Sequence, residues 1–74
     1  MTLDQVNRGQ RVIIRGIDSA EVKTQIIRFG LGEGESAVCQ EKLPQGPIVL
    51  RKNRQEIAIG RNLARSIHVE IVTP

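Results

Sequence analysis

The sequence predicts a small, mainly β domain: a five-stranded barrel with one inserted α-helix. Three observations point to it. One segment, Ile17 to Gly34, carries start and stop signals for a single helix. Five short runs of β-branched and aliphatic residues fill most of the remainder, separated by tight turns. The chain has 74 residues, enough for one domain spanning residues 1–74 and one modest core. Five short strands in so small a chain favour a closed or partly closed sheet, because closure removes exposed edges.

The elements follow in order. Leu3 and Val6 precede Asn7-Arg8-Gly9, a turn signal, and form a lead-in that tucks two apolar side chains under the fold. Gln10 to Ile17 (QRVIIRGI) is the first strand, and Gly16 near its end marks a bulge or bend. The helix covers about residues 19–29. Asp18 is placed to cap it, with Glu21 three residues on reaching back as the acidic partner of a capping box. Ile17 and Val22 are spaced for a hydrophobic staple. Gly30 suits the left-handed position that stops a helix, with Leu31 folding back onto Ile26. Val22, Ile26 and Phe29 share one apolar stripe at i, i+4 and i+7.

Gly34 supplies the turn before the second strand, Glu35 to Lys42, whose inward face is Ala37 and Cys39. Leu43-Pro44-Gln45-Gly46-Pro47 is a loop, since two prolines around a glycine exclude ladder pairing. Ile48 to Lys52 is the third strand, with Ile48 and Leu50 inward. Asn53-Arg54-Gln55 turns the chain into the fourth, Glu56 to Gly60, with Ile57 and Ile59 inward. Residues 62–66 form a short helical turn carrying Leu63 and Ala64. Ile67 to Val72 alternates cleanly as the fifth strand.

Composition excludes several functions. One cysteine, Cys39, rules out an internal disulfide, and one cysteine with one histidine, His68, falls short of a closed zinc site. Cys39 faces inward and His68 outward, so the pair is not a nucleophile and its base. A single Phe, with no Trp or Tyr, cannot build the aromatic platform that stacks single-stranded bases or grips proline-rich peptides. The N-terminus has no apolar signal core, and no run nears the ~20 apolar residues of a membrane span. A soluble, cytoplasmic protein without direct membrane insertion is expected, stabilised by docking or by weak homo-oligomerisation.

Gly30-Leu31-Gly32-Glu33-Gly34 is not a phosphate loop. Its glycines follow a helix, whereas phosphate is bound where a helix begins. The carboxylates are scattered and none sits in an apolar run, so no acid–base pair is formed. Catalytic, cofactor and metal residues are therefore not expected. Net charge is +3, from 11 basic and 8 acidic residues, mostly interspersed. Arg51, Lys52 and Arg54 are the exception, gathered at one hairpin tip where they can meet an acidic partner surface.

Three segments carry a family likeness: QIIRFGLGEG (Gln25 to Gly34), the loop ending Gly46-Pro47-Ile48, and EIAIGRNLARSIHV (Glu56 to Val69). Through them the chain resembles the ferrous iron transport protein A family over nearly its whole length. In that family the loop usually reads Leu-Gly-Asp-Pro, where this chain has Pro44-Gln45-Gly46-Pro47. The resemblance implies an SH3-like barrel with an inserted helix, and transition metal ion binding at the level of the family. It also implies a cytosolic accessory role in bacterial ferrous iron uptake, with a membrane iron permease and its cytoplasmic GTP-binding domain as partner. The expected contact surface is the helix region (Arg28, Leu31) with the hairpin tip (Arg51, Lys52, Arg54). Asp18, Glu21, Gly30, Gly34 and Cys39 are expected to serve structure. Two alternatives are a small-barrel nucleic-acid binder, prompted by a pI near 9.8, and a stand-alone relative of the C-terminal domain of iron-dependent repressors.

Overall fold

In a computed structural model that describes residues 1–72, five antiparallel strands curl into a small barrel-like sheet. They are β1 (Arg11–Ile17), β2 (Ser36–Lys42), β3 (Ile48–Lys52), β4 (Gln55–Ile59) and β5 (Ile67–Ile71), in the spatial order β4-β3-β2-β1-β5. Helix α1 (Ala20–Ile27) joins β1 to β2, and a four-residue turn of helix, α2 (Arg61–Ala64), carries the chain from β4 to β5. The expected domain limits include residues 73 and 74, which lie outside the described residues.

Strand alternation places one apolar layer inside. Val12 and Ile14, Ala37 and Cys39, Ile48 and Leu50, Ile57 and Ile59, and Ile67 and Val69 are all buried. Leu3 and Val6 join them from the N-terminal lead-in, where Leu3–Gln5 forms a 3-10 turn. The same segment covers the outer edge of β5, through a bridge between Thr2 and His68 and a 2.9 Å bond from the Val69 amide to the Met1 carbonyl. The register of β1 on β5 slips between Ile14 and Gly16, a bulge at the glycine that sequence marked.

The helix start differs from the sequence expectation by one residue. Ser19, extended at φ −105° and ψ 125°, is the N-cap, and its hydroxyl accepts the Val22 amide at 3.3 Å. Asp18 does not cap the helix. Its own amide donates to the Ser66 carbonyl at 2.8 Å, which ties it to the start of β5 and sends its carboxylate to His68, also at 2.8 Å. Glu21 therefore stands in the first turn, where its charge complements the helix dipole rather than closing a capping box. The Ile17–Val22 staple moves out of place with the cap, and Ile17 packs against the core instead.

The helix end follows from Gly30, whose φ of +77° reverses the chain. The Gly30 amide bonds the Ile27 carbonyl at 2.9 Å and the Leu31 amide bonds the Ile26 carbonyl at 3.1 Å, the paired bonds of a Schellman motif. This early stop corrects the expected stripe. Phe29 lies beyond α1 and is 44% exposed; Leu31 takes the inward place after Val22 and Ile26 and is fully buried.

Candidate interaction surface

The outer face of the sheet presents the side chains that point away from the core. Register sets them in rows. Arg11 on β1 stands opposite Val38 on β2, Val38 opposite Arg51 on β3, and Arg51 opposite Glu56 on β4. One cross-strand row thus reads Arg11, Val38, Arg51, Glu56. Above it lies an open groove of about 530 Å³, bounded at one end by Lys52 and Asn53 at the β3–β4 turn and by Glu35 just before β2. Beyond Arg51 the surface dips again between Gln40, Arg54 and Glu56.

The three tip cations have different surroundings. Lys52 is not a free surface charge. Its ammonium donates to the Gly30 carbonyl and pairs with Glu35 Oε2 at 2.6 Å, and its side chain is only 20% exposed. It braces the end of α1 against the start of β2, a favourable place for a cation because helix carbonyls point there. Arg51 is exposed and directs Nε to the Asn53 carbonyl at 3.3 Å. Arg54 is exposed beside it in the turn, where Asn53 adopts φ +57°. Arg28 is also exposed, between Ile27 (51% exposed) and Phe29. Leu31, expected at the contact surface, is buried and presents no side chain to a partner; the Schellman geometry turns it inward.

Other polar groups serve the scaffold. Gly34, at φ +89°, donates to the Ile14 carbonyl at 2.8 Å and starts β2 beside β1. Arg61 Nη2 donates to the Leu43 carbonyl at 2.7 Å, pinning the 43–47 loop to α2. Arg15–Glu70 at 2.7 Å and Lys23–Glu33 at 3.8 Å are exposed pairs, each worth ~0–1 kcal/mol. Cys39 is buried, with Sγ 3.7 Å from the Glu41 carbonyl, and burial pushes its thiol pKa up. A thiol held in that state is a poor nucleophile. Among the described residues, no three His, Cys, Asp or Glu side chains converge to hold a metal ion; Asp18 and His68 are a pair only. No helix among them is long and apolar enough to cross a membrane.

Comparison with known proteins now decides the family. The FeoA domain model matches residues 1–71. The chain belongs to the FeoA family. Solved FeoA proteins share the fold over nearly all of this chain. A crystal structure of an iron uptake regulatory protein (FeoA) superposes with a TM-score of 0.87 at 25% identity, covering 97% of this chain and 96% of that one. FeoA from Chlorobium tepidum superposes equally well, with a TM-score of 0.87 at 25% identity over 99% of this chain and 71% of that one. The FeoA-like protein of Clostridium acetobutylicum gives 0.86 at 25% identity over 100% of this chain and 88% of that one. ScaR, solved with bound Zn2+, shares the fold at 24% identity and a TM-score of 0.80, over 97% of this chain but 37% of its own. No curated protein sequence gives a significant match. The FeoA family is associated with ferrous iron transport, and its SH3-like barrel is the fold described above.

Arg11 is the member of the FeoA surface that sequence reading missed. Its outward place was legible from the alternation with Val12 and Ile14. Its alignment with Arg51 was not, because register across three strands is a tertiary property. The exposed Phe29 was missed for a related reason: its exposure depends on where Gly30 ends the helix.

Proposed function

We propose that this chain is a cytoplasmic, non-enzymatic accessory protein of bacterial ferrous iron uptake. It docks on the membrane iron permease and that permease's GTP-binding domain. The observation that carries the reading is the family match across residues 1–71. The surface is consistent with it. Arg51, Arg54 and Arg28 are exposed, and none forms an ion pair among the described residues. Charges so placed set encounter rate and orientation with an acidic partner. Lys52 contributes indirectly, by fixing the turn that carries Arg51 and Arg54.

The test is co-purification with the permease's cytoplasmic GTP-binding domain at low salt, repeated with Arg51 and Arg54 reversed to Glu. Retention by the native chain and loss by the variant are expected. Absence of association by the native chain would defeat the reading.

A further inference from the structure

We propose that Arg11 and Arg51 form a paired-guanidinium site on the outer sheet face that binds carboxylates of an acidic, extended segment of a protein partner. The inference rests on the docking role above and specifies the chemistry of the contact.

The two arginines occupy the same cross-strand row, two strands apart, with Val38 between them. Strand spacing puts their Cα atoms ~10 Å apart. Both side chains are exposed, and neither is ion-paired among the described residues. Their guanidinium forks therefore reach over a half-buried apolar floor with most of their N–H donors free. At the groove's end, Glu35 is neutralised by Lys52 at 2.6 Å, so it does not oppose an incoming anion. The groove's own lining keeps a net charge of about +2, one from each arginine; Glu56, opposite Arg51 on β4, lies outside that lining and accepts from Gln40, while Ser36 and Asn53 add neutral polar groups.

The spacing favours the proposed occupant. Arginine forks bind carboxylate and phosphate alike in bidentate geometry, so the distance between the two forks, not the forks themselves, favours an acidic peptide. An extended segment carries same-face side chains ~7 Å apart, a spacing that lets neighbouring acidic residues engage both arginines. No aromatic residue lines the groove, so it offers no aromatic platform for nucleic-acid bases.

The experiment titrates the native chain with a blocked peptide of alternating Glu and Ser, about eight residues long to span the groove. Backbone amide shifts are followed by NMR at about 50 mM salt, where charge contacts are weakly screened. Inorganic phosphate and a short DNA duplex serve as comparison probes. Saturable shifts centred on Ser36, Val38 and Asn53 are expected with the peptide. Arg11→Gln and Arg51→Gln should each weaken binding by about tenfold, while Arg65→Gln, just after α2, leaves it unchanged. The shift map comes from the native chain and does not depend on a variant folding. Peptide shifts elsewhere on the surface would overturn the assignment, as would phosphate or DNA binding more tightly than the peptide. Failure here with intact co-purification would overturn this site and leave the docking role standing.

Discussion

Leu31→Ala separates a residue that holds the fold from one that meets a partner. Leu31 is fully buried at the end of α1, and its amide closes the Schellman motif on Ile26. The substitution removes three carbons from the core, ~2.4 kcal/mol at ~0.8 kcal/mol per methylene. The cavity left behind raises the cost, since buried Leu→Ala changes fall at about 2.7–5 kcal/mol. The lower end applies here, because a helix terminus relaxes more easily than a mid-sheet position. A loss of about 3 kcal/mol is large for a 74-residue chain, whose total stability by size is about 4–11 kcal/mol. Urea unfolding should show that loss, and the melting temperature should fall by about 12–24 °C. Leu43→Ala is the control. Leu43 is 45% exposed, and its truncation should stay within about 0.5 kcal/mol. A Leu31→Ala protein with near-native stability would refute the inward placement and return Leu31 to the contact surface.

Three further outcomes follow from particular residues. Ser19→Ala should cost about 1 kcal/mol through the lost helix cap, whereas Asp18→Ala removes only its exposed pair with His68 and should cost less; urea unfolding of both variants ranks them. Gln45→Gly should stabilise the protein by about 0.5 kcal/mol, because Gln45 sits at φ +56° and glycine enters that region without strain, offset in part by its greater unfolded-state freedom. Burial raises the Cys39 thiol pKa in the folded protein. The unfolded chain therefore loses its thiol proton first, and stability should decline as pH rises above the unfolded thiol value of about 8.5. Comparing urea midpoints at neutral and alkaline pH with those of Cys39→Ala isolates that slope, which the variant should lack.

The fold was legible in this sequence where local and tertiary signals agree. Ile48-Val49-Leu50 and Ile57-Ala58-Ile59 are apolar throughout, but Arg51 and Glu56 must face solvent, which turns Ile48, Leu50, Ile57 and Ile59 inward, and that facing is the one found. Gly16 marked its bulge because few other features place a glycine inside a β-branched run. The helix ends were harder. Asp18 and Ser19 are both good caps, and the choice between them is made by a contact 48 residues away, the Asp18 amide on the Ser66 carbonyl. Phe29 fits the helical stripe and Leu31 does not; only the reversal at Gly30 brings Leu31 inside and leaves Phe29 out.

The candidate surface was less legible, because it depends on charge partners and register. Arg51, Lys52 and Arg54 look alike in sequence as a basic cluster. In the fold Lys52 is drawn inward by the Gly30 carbonyl and Glu35, a contact between segments 17 residues or more apart. Arg11 joins Arg51 only because β2 lies between β1 and β3 in the sheet order.

The most direct measurement of the docking role is a calorimetric titration of this chain with the iron permease's cytoplasmic GTP-binding domain at increasing salt. The account predicts saturable binding at about 50 mM salt that weakens steadily as the charges are screened. Native protein that gives no binding at low salt, or binding indifferent to salt and to the loss of Arg51 and Arg54, would contradict it.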